Sequence, residues 1–249
     1  MTSTFTIVTP SYNQGRFIRQ TIDSVLLQGY PDLDYWVIDG GSTDDTVKIL
    51  KGYGKRVNWL SEKDNGQADA INKGFARAKG EILAWLNSDD YYEPGTLKKV
   101  ATYFDSHPEV DFLFGDMNFV DEKGSHPQQC NYLSDYSFAR LLKYCYICQP
   151  SVFFRRSVLK KVGYLDTHYT YAFDYDYWLR IGEFMPDRMK RVSLGTLSNL
   201  RTYKTRKTEA GLVPMRQEVI QIMLAHGYWY APAILESVCL ILKNKLYNR

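Results

Sequence analysis

The chain has 249 residues, 45% of them hydrophobic and 15% aromatic, so it can form a sizeable core at the upper edge of one domain. Its formal net charge of +3 divides into −6 over residues 1–125 (13 basic, 19 acidic) and +9 over residues 126–249 (18 basic, 9 acidic). No apolar run reaches the roughly 18 residues of a bilayer span, no nucleic-acid recognition motif is present, and the four cysteines lack zinc-binding spacing.

The C-terminal part of the chain is strongly basic, with 11 basic and 3 acidic residues over 188–249. This balance suits an anionic partner, such as a pyrophosphate group or a phospholipid surface. The apolar stretch 228–242, followed by Lys243, Lys245 and Arg249, predicts a helix that either lies on a membrane or packs on the domain. Since no basic, apolar signal segment is seen, we expect a cytoplasmic setting, with peripheral contact to the inner face of the membrane as an option.

Apolar strands alternate with helical patterns over the first third of the chain. Strands are predicted at 5–8, 35–38, 57–60 and 81–86, and helical spacing of apolar residues follows the first three of them, at 18–26, 47–50 and 68–78. This alternation predicts an α/β fold with a parallel, doubly wound sheet flanked by helices.

The alternation weakens after about residue 110, which predicts a mixed sheet. Paired strands are expected over 111–120 and short strands within 151–154 and 191–203. From residue 209 the apolar spacing predicts a helix, and a second helix follows from about residue 231.

Polar clusters follow three of the early strands, at 9–13, at Asp39 and at 87–90. Because open sheets of this type bind ligands beyond the carboxyl ends of their strands, we expect these segments to line one cleft. No Gly-x-Gly-x-x-Gly follows the first strand, which argues against a dinucleotide site.

The turn Asn87-Ser88-Asp89-Asp90 offers two or three oxygen ligands directly after a strand. That arrangement suits Mg²⁺ or Mn²⁺, which could bridge the two phosphates of a nucleotide sugar and neutralise charge on the departing diphosphate. Helix capping is the alternative interpretation, since Asp and Asn cap helices routinely.

Three further polar segments are candidates for the same cleft. The carboxylate of Asp39 can accept a hydrogen bond from a base or ribose, and the segment 64–69 lies between a strand and a helix, where turn chemistry is the alternative. Asp174 and Asp176 begin an aromatic-rich helix, and at i and i+2 they do not share a face, so we expect different roles for them. Phosphate contact or ordinary solvation could explain the basic loop of Arg201, Lys204, Arg206 and Lys207.

Taken in order, these motifs resemble the family 2 glycosyltransferases of the GT-A fold. The resemblance covers roughly residues 5–205 and rests on Thr9-Pro10-Ser11-Tyr12-Asn13-Gln14, Asp39-Gly40-Gly41-Ser42-Thr43-Asp44, the stretch 64–74, Asn87-Ser88-Asp89-Asp90, Gln149-Pro150-Ser151 with Arg155-Arg156, Gly163-Tyr164-Leu165-Asp166, and the stretch 174–180. It implies a Rossmann-like, doubly wound mixed sheet with a C-terminal helical extension. The implied division is a catalytic domain over 1–205, with a nucleotide half of about 1–110 and an acceptor half of 111–205, and an extension over 206–249.

The resemblance implies an inverting transfer from a nucleotide sugar, expected to be a UDP-sugar, to a saccharide or lipid-linked saccharide. Asp89 would bind Mn²⁺ or Mg²⁺, and Asp174 would be the base that deprotonates the acceptor hydroxyl. The implied nucleotide-binding residues are Thr9, Pro10, Tyr12, Asp39, Asp64, Gln67, Asp69 and Ser88. The donor and phosphate set is Asn87, Asp90, Arg201, Tyr203, Lys204 and Arg206, and the acceptor region holds Gln149 and Trp178.

Two departures from the family pattern concern the metal. Asn87 replaces the first carboxylate of the family's Asp-x-Asp motif, and Tyr203 stands where many members have a metal-binding His. They permit one alternative, a catalytically silent nucleotide-sugar-binding or scaffold protein of the same fold. A sugar-1-phosphate nucleotidyltransferase is another, but it should open with a Gly-rich loop after the first strand, where this chain has Thr9-Pro10-Ser11-Tyr12.

Overall fold

The computed structural model describes residues 3–130 and 134–247, which fold as one mixed sheet with helices on both faces. Arg249, part of the predicted basic tail, lies outside the described residues. The strands are β1 Phe5–Ser11, β2 Leu33–Asp39, β3 Asn58–Ser61, β4 Ile82–Trp85, β5 Tyr91–Tyr92, β6 Phe112–Val120, β7 Gln128–Gln129, β8 Val152–Arg155 and β9 Met189–Arg201. The α-helices are α1 Ile18–Leu26, α2 Thr46–Tyr53, α3 Gln67–Phe75, α4 Thr96–Ser106, α5 Phe138–Leu141, α6 Arg156–Val162, α7 Phe173–Phe184, α8 Lys207–Ala210, α9 Leu212–Ala225 and α10 Pro232–Tyr247. Short 3₁₀ helices lie at Gly54–Arg56, Gln149–Ser151 and Pro186–Arg188.

The sheet runs in the order β3-β2-β1-β4-β8-β6-β9-β5, with β7 paired to β6. Strands β1 to β4 are mutually parallel, as the alternation of strands and helices predicts. Strand β8 lies antiparallel between β4 and β6, and β6 runs parallel to β9. The predicted α/β class and mixed sheet are therefore confirmed.

Each face of the sheet carries its own buried core, because successive side chains of a strand point to opposite faces. Phe5 and Ile7 of β1 contribute to the core that α1, α2 and α4 cover. Val8 contributes to the other core, which contains buried residues of α3, α6, α7 and α9. The C-terminal helices thus share a core with the sheet.

Two strand predictions in the second half are wrong in detail. The stretch 111–120, expected to form paired strands, is the single strand β6. Gly115 makes no turn there; its missing side chain lets Leu197 of β9 approach, since a Cβ would lie 2.4 Å from Leu197 Cδ1. The short strands expected within 191–203 are one long strand, β9, which pairs with both β6 and β5.

The last part of the chain forms α9 and α10, which pack on each other as the two predicted helices. Within residues 3–130 and 134–247, we find no helix with the length and hydropathy to cross a bilayer.

Candidate active site

The loops that follow β1 and β2 are joined by hydrogen bonds beyond the carboxyl ends of the strands. Asn13 adopts a left-handed backbone conformation, φ 52°. Its N–H donates to Ser42 Oγ at 2.7 Å, and its Oδ1 accepts from the N–H of Thr43 at 2.9 Å. Beside this junction Tyr12 is 61% exposed, so its ring is free to stack on a planar ligand.

Asp39 is fully buried and organises its own loop. Its carboxylate accepts from the N–H groups of Gly41 and Ser42 at 3.2 and 3.0 Å and from the hydroxyls of Ser42 and Ser61 at 2.5 and 2.6 Å. Three of these donors share Oδ2 and one reaches Oδ1, so Oδ1 keeps a lone pair for a further donor. Asp39 thus shapes its own loop, and its expected bond to a base or ribose stays a prediction.

Three other residues of the expected nucleotide set are also buried. Thr9 shares a 3.0 Å hydrogen bond with the hydroxyl of Tyr35 beneath the sheet surface. Pro10 and Ser88 have little exposed surface, and the carbonyl of Ser88 accepts a hydrogen bond from Thr21 at 2.9 Å. Their burial gives these side chains a supporting place within the fold, and their expected nucleotide contacts stay predictions.

The segment 64–69 does reach the cleft. A Cβ on Gly40 would lie 2.6 Å from Asp64 Oδ2, so the glycine allows Asp64 to sit against the β2 loop. Asp64 caps the turn at Gly66 (2.9 Å), and burial raises its pKa. Asp69 instead accepts from the N–H of Asn65 at 3.0 Å and pairs with Lys73 at 3.5 Å, so its contacts are within the segment and its own helix.

Gln67 connects this segment to the acidic turn after β4. Its Nε2 donates to Asn87 Oδ1 at 2.7 Å. Asn87 in turn donates to Asp90 Oδ2 at 3.4 Å. Asp90 is buried, and burial followed by the charge of Asp89 raises its pKa. Both oxygens of Asp90 are engaged inside the protein, since Oδ1 accepts from the N–H of Arg201 at 3.0 Å. Asp90 is thus a structural member of the turn.

Asp89 is the partly exposed carboxylate of the turn, and Tyr203 lies against it. The phenol of Tyr203 donates to Asp89 Oδ2 at 2.8 Å, and burial with the Asp89 charge raises the pKa of Tyr203 to about 12. Tyr203 therefore stays a neutral donor that orients Asp89. Tyr203 stands at the position of the family's metal-binding His, and here it donates a hydrogen bond to the Asp89 carboxylate.

Arg201 is buried behind the turn, and its side chain does not face a phosphate site. Its guanidinium donates to the carbonyls of Asp89 and Glu122 at 2.9 and 2.8 Å and to Gln20 Oε1 at 2.6 Å. The ring of Phe17 stacks under it, 4.7 Å from centroid to Cζ. The expected phosphate contact of Arg201 is corrected to a structural role that fixes the backbone of Asp89.

The acidic turn fits a divalent cation whose shell the substrate completes. No cluster of three or more His, Cys, Asp or Glu side chains suited to a metal occurs in the described part of the chain. Mg²⁺ characteristically takes one or two protein carboxylates together with substrate phosphates and water. Asp89, partly exposed and oriented by Tyr203, meets that description.

Helix α7 presents two carboxylates with different surroundings. Asp174 is partly exposed, and loss of water around it raises its pKa to about 6, against the opposing effects of backbone N–H groups, Lys207 and Arg206. Asp176 is buried between Arg180 (2.9 Å) and Nε2 of His226 (3.0 Å). The predicted difference between the two residues is present in their environments.

Of the basic loop, Lys204 is exposed and Arg206 is partly exposed, and their expected phosphate contacts stay predictions. The charge of Arg206 lowers the pKa values of both Asp90 and Asp174, so it acts on both sides of the cleft. Lys207 reaches farther in, and its ammonium donates to Gln67 Oε1 at 3.2 Å.

The two residues of the expected acceptor region lie under the cleft. Trp178 is fully buried and stacks on Trp85 with ring centroids 5.3 Å apart, so it belongs to the core and offers no surface to an acceptor. Gln149 is buried too, and its Nε2 donates to the carbonyl of Trp85 at 2.7 Å. Its Oε1 has no hydrogen-bond partner within residues 3–130 and 134–247.

One residue of the site has no signal in the sequence. Glu218 of α9 accepts from the backbone N–H groups of Thr170, Tyr171 and Ala172 at 2.8, 2.7 and 2.9 Å. These groups lie at the start of α7, just before Asp174. Only packing of the C-terminal helices on α7 brings this carboxylate into place.

Comparison with known proteins assigns a family to this arrangement. The model of "Glycosyl transferase family 2" matches residues 6–163. The chain is 28% identical over 188 residues to an uncharacterised glycosyltransferase of Rickettsia prowazekii, covering 70% of this chain and 57% of that protein. It is 29% identical over 181 residues to a PGL/p-HBAD biosynthesis glycosyltransferase of Mycobacterium bovis, covering 71% of this chain and 68% of that protein. The chain thus spans little more than half of the Rickettsia protein's length.

Solved structures with the same fold extend the comparison. S. aureus TarS 1-349 in complex with UDP-GlcNAc superposes with a TM-score of 0.70 at 21% identity, over 89% of this chain and 66% of that one. The mannosyltransferase PcManGT of Pyrobaculum calidifontis, solved with GDP-Man and Mn²⁺, gives a TM-score of 0.61 at 18% identity, over 94% and 70%. With its mixed sheet and its family match, the chain belongs to glycosyl transferase family 2 and has the GT-A fold.

Proposed function

We propose that this glycosyltransferase moves a sugar from a UDP-sugar to a saccharide or lipid-linked saccharide acceptor, with inversion at the anomeric carbon. The observation that carries the proposal is the placement of Asp174, a partly exposed carboxylate with a pKa of about 6 at the start of α7, near Lys207, which hydrogen-bonds to Gln67 and through it reaches the acidic turn. A base of that pKa is ionised at neutral pH yet basic enough to take a proton from a hydroxyl as it reacts.

The proposed reaction is a single displacement. Asp174 accepts the proton of the acceptor hydroxyl while that oxygen forms a bond to the anomeric carbon. The bond from that carbon to the diphosphate oxygen breaks, and its electron pair leaves with the nucleoside diphosphate. Attack opposite the leaving group inverts the carbon, so an α-linked donor gives a β-linked product.

A divalent cation is part of the proposal, with Asp89 as its protein ligand. The chemistry that Mn²⁺ or Mg²⁺ supplies when bound is neutralisation of charge on the departing diphosphate. Tyr203 orients Asp89, and Arg206 adds positive charge from the basic loop. Support for a nucleotide-sugar donor comes from fold neighbours that bind UDP-GlcNAc and GDP-Man, the latter with Mn²⁺.

The second proposed partner is a membrane surface, which would bring the enzyme to a lipid-linked acceptor. Leu235, Val238, Leu242 and Leu246 of α10 are all exposed. At 100° per residue they fall within about 80° of arc, forming one apolar stripe. Trp229 and Tyr230, 75% and 61% exposed, lie just before the helix, and exposed Lys243 lies beside the stripe. This composition is typical of helices that lie in a membrane interface.

The rival functions predict different behaviour. A silent binding protein would have no use for an exposed carboxylate at the position of Asp174, and a nucleotidyltransferase would release pyrophosphate. The test is a screen of nucleotide sugars with Mn²⁺ that measures released UDP and acceptor product. Asp174→Asn should lower kcat by about 10²–10⁴-fold with donor affinity nearly unchanged, the range for loss of a positioned base.

Asp176→Asn is the matched control for that test. Because Asp176 is held by Arg180 and His226, its loss should reduce stability and leave most of kcat intact in the folded protein. Equal loss of kcat in both variants would remove the argument for Asp174 as the base. Release of pyrophosphate in place of UDP would favour the nucleotidyltransferase.

A further inference from the structure

The ammonium of Lys207, at the start of α8, is held by contacts with three side chains. It lies 5.5 Å from the ring centroid of Tyr171 and 5.7 Å from that of Phe173, within the range of cation–π attraction. It also donates to Gln67 Oε1 at 3.2 Å. The residue as a whole is exposed, and these contacts hold its ammonium in place.

The hydrogen bond to Gln67 continues toward the acidic turn. Gln67 is an amide with one acceptor and two donor hydrogens, so donation from Lys207 to Oε1 fixes which end faces Asn87. The Nε2 group then donates to Asn87 Oδ1 at 2.7 Å. Lys207 thereby sets the orientation of a side chain on the donor side of the cleft.

Lys207 also acts on the other side, where Asp174 begins α7. The two ring residues that hold the ammonium, Tyr171 and Phe173, directly precede Asp174 in the chain. The positive charge of Lys207 lowers the pKa of Asp174, opposing the effect of burial. Loss of water around the ammonium lowers the pKa of Lys207 itself, while the charges of Glu218 and Asp174 raise it.

Further groups that interact electrostatically with Asp174 include Arg206 and Cys145. Arg206 adds a second positive charge from the same loop. Loss of water around the sulfur and the Asp174 charge raise the pKa of the Cys145 thiol, which keeps it neutral. Glu218 lies behind α7, bonded to the N–H groups of 170–172. Of these two cations, Lys207 is the one that hydrogen-bonds to Gln67 among the described residues, whereas Arg206 acts on Asp90 through its charge.

We propose that Lys207 is a positioning residue of the transfer reaction, whose ammonium orients the Gln67 amide on the donor side and places a positive charge at the start of α7, against the two rings that precede Asp174. The inference rests on the proposed function of Asp174 as the base. It adds a link between the two halves of the cleft, supplied by the C-terminal extension.

The test compares Lys207→Met, which removes the charge and keeps the length of the side chain, with Lys207→Arg and with Lys98→Met on the exposed face of α4 as a matched control. Titration of the Asp174 carboxyl carbon by NMR, assigned by its loss in Asp174→Asn, reads the base directly and needs no turnover. We expect the Asp174 titration to move to higher pH in Lys207→Met, to return in Lys207→Arg and to stay in place in Lys98→Met.

The pH dependence of transfer provides the second readout. With a base that is harder to ionise, Lys207→Met should lose about 3–10-fold more of its kcat/KM at pH 5.5 than at pH 8, and its donor KM should rise as the Gln67 amide is freed. An unchanged Asp174 titration, or an equal loss at every pH, would overturn the inference. Absence of transfer by the wild type with every donor would instead refute the proposed function, and the titration would still decide the role of the Lys207 charge.

Discussion

At the scale of single residues, the two departures from the family pattern change how the acidic turn is built. Asn87 is held by Gln67 and holds Asp90, so it works as a connector within the turn. Tyr203 donates to Asp89, where a His could ligate the metal itself. One carboxylate and its phenol partner thus replace a larger set of protein ligands, and the proposed cation depends more on the substrate.

Tyr203→Phe should therefore weaken metal use while leaving the fold intact. Without the phenol, Asp89 loses the hydrogen bond that orients it, and losses of this kind typically cost 10–100-fold in metal affinity. We expect the Mn²⁺ concentration for half-maximal transfer to rise by about tenfold. Tyr103→Phe on α4 is the control, and identical metal dependence of the two variants would show that Tyr203 has no such role.

Titration of Asp174 should make both kcat/KM and the stability of the protein depend on pH. Its pKa of about 6 predicts that kcat/KM falls about tenfold per pH unit well below pH 6, because the base must be ionised. The folded state holds this proton at higher pH than the unfolded state, so stability is lost as pH rises from about 4 through 6. Asp174→Asn should accordingly unfold at an equal or higher temperature than the wild type at pH 7.5. A lower melting temperature would contradict the burial argument.

At the scale of elements, helix α7 is positioned by the C-terminal helices. Ala172 stands at the start of α7 and has no side-chain acceptor to cap it. Glu218 of α9 supplies the acceptor instead, since its carboxylate accepts hydrogen bonds from three backbone N–H groups at this end of α7. Farther along, His226 lies between two carboxylates of α7, with Nε2 3.0 Å from Asp176 and Nδ1 2.8 Å from Glu183. Helix α9 and His226, which directly follows it, therefore support the helix that carries the proposed base.

Glu218→Ala should destabilise the protein by about 1–3 kcal/mol, since it leaves partly buried N–H groups without their acceptor. Chemical denaturation measures the loss. Glu236→Ala is the control, because Glu236 is exposed and its carboxylate lies as far as 3.9 Å from the Arg216 guanidinium. Equal stability of the two variants would mean that water replaces the Glu218 carboxylate at the start of α7.

At the scale of the whole molecule, charge and apolar surface are unevenly distributed. The first half of the chain carries −6 and the second +9, and the apolar stripe of α10 belongs to the basic half. An anionic bilayer would meet both features together, through lipid tails for the stripe and head-group charge for the basic side chains. Because the chain matches only part of a longer relative, the proposed membrane contact concerns the 249 residues described by this sequence.

Vesicle binding tests this surface. We expect binding to anionic vesicles that weakens as salt rises, and about tenfold weaker binding after Leu242→Glu, because one leucine contributes about 1.5–3 kcal/mol when buried. Leu27→Glu is the control, since Leu27 is 82% exposed and lies outside the stripe. Equal binding to neutral vesicles, or an equal effect of both substitutions, would argue against a membrane face on α10.

The amino-acid sequence alone predicts the parallel half of the sheet, the order of the motifs, the place of Asp89 in a turn and that of Asp174 at the start of a helix. These features follow from local rules: the period of apolar residues, turn chemistry after strands, and the spacing of carboxylates. The same rules could not tell which polar side chains face the cleft. Asp39, Arg201 and Trp178 were expected to touch a ligand, and all three are buried.

Which of these side chains are buried follows from the three-dimensional packing, because burial and hydrogen bonding depend on segments that are far apart in the chain. Arg201 fixes the backbone of the turn through hydrogen bonds to Gln20, Asp89 and Glu122. Glu218 caps helix α7, which begins 45 residues earlier in the chain, at Phe173. Lys207 acquires its place from Gln67 and from two rings before Asp174. A long-range contact has no local period or spacing to mark it, so packing alone assigns these residues their roles.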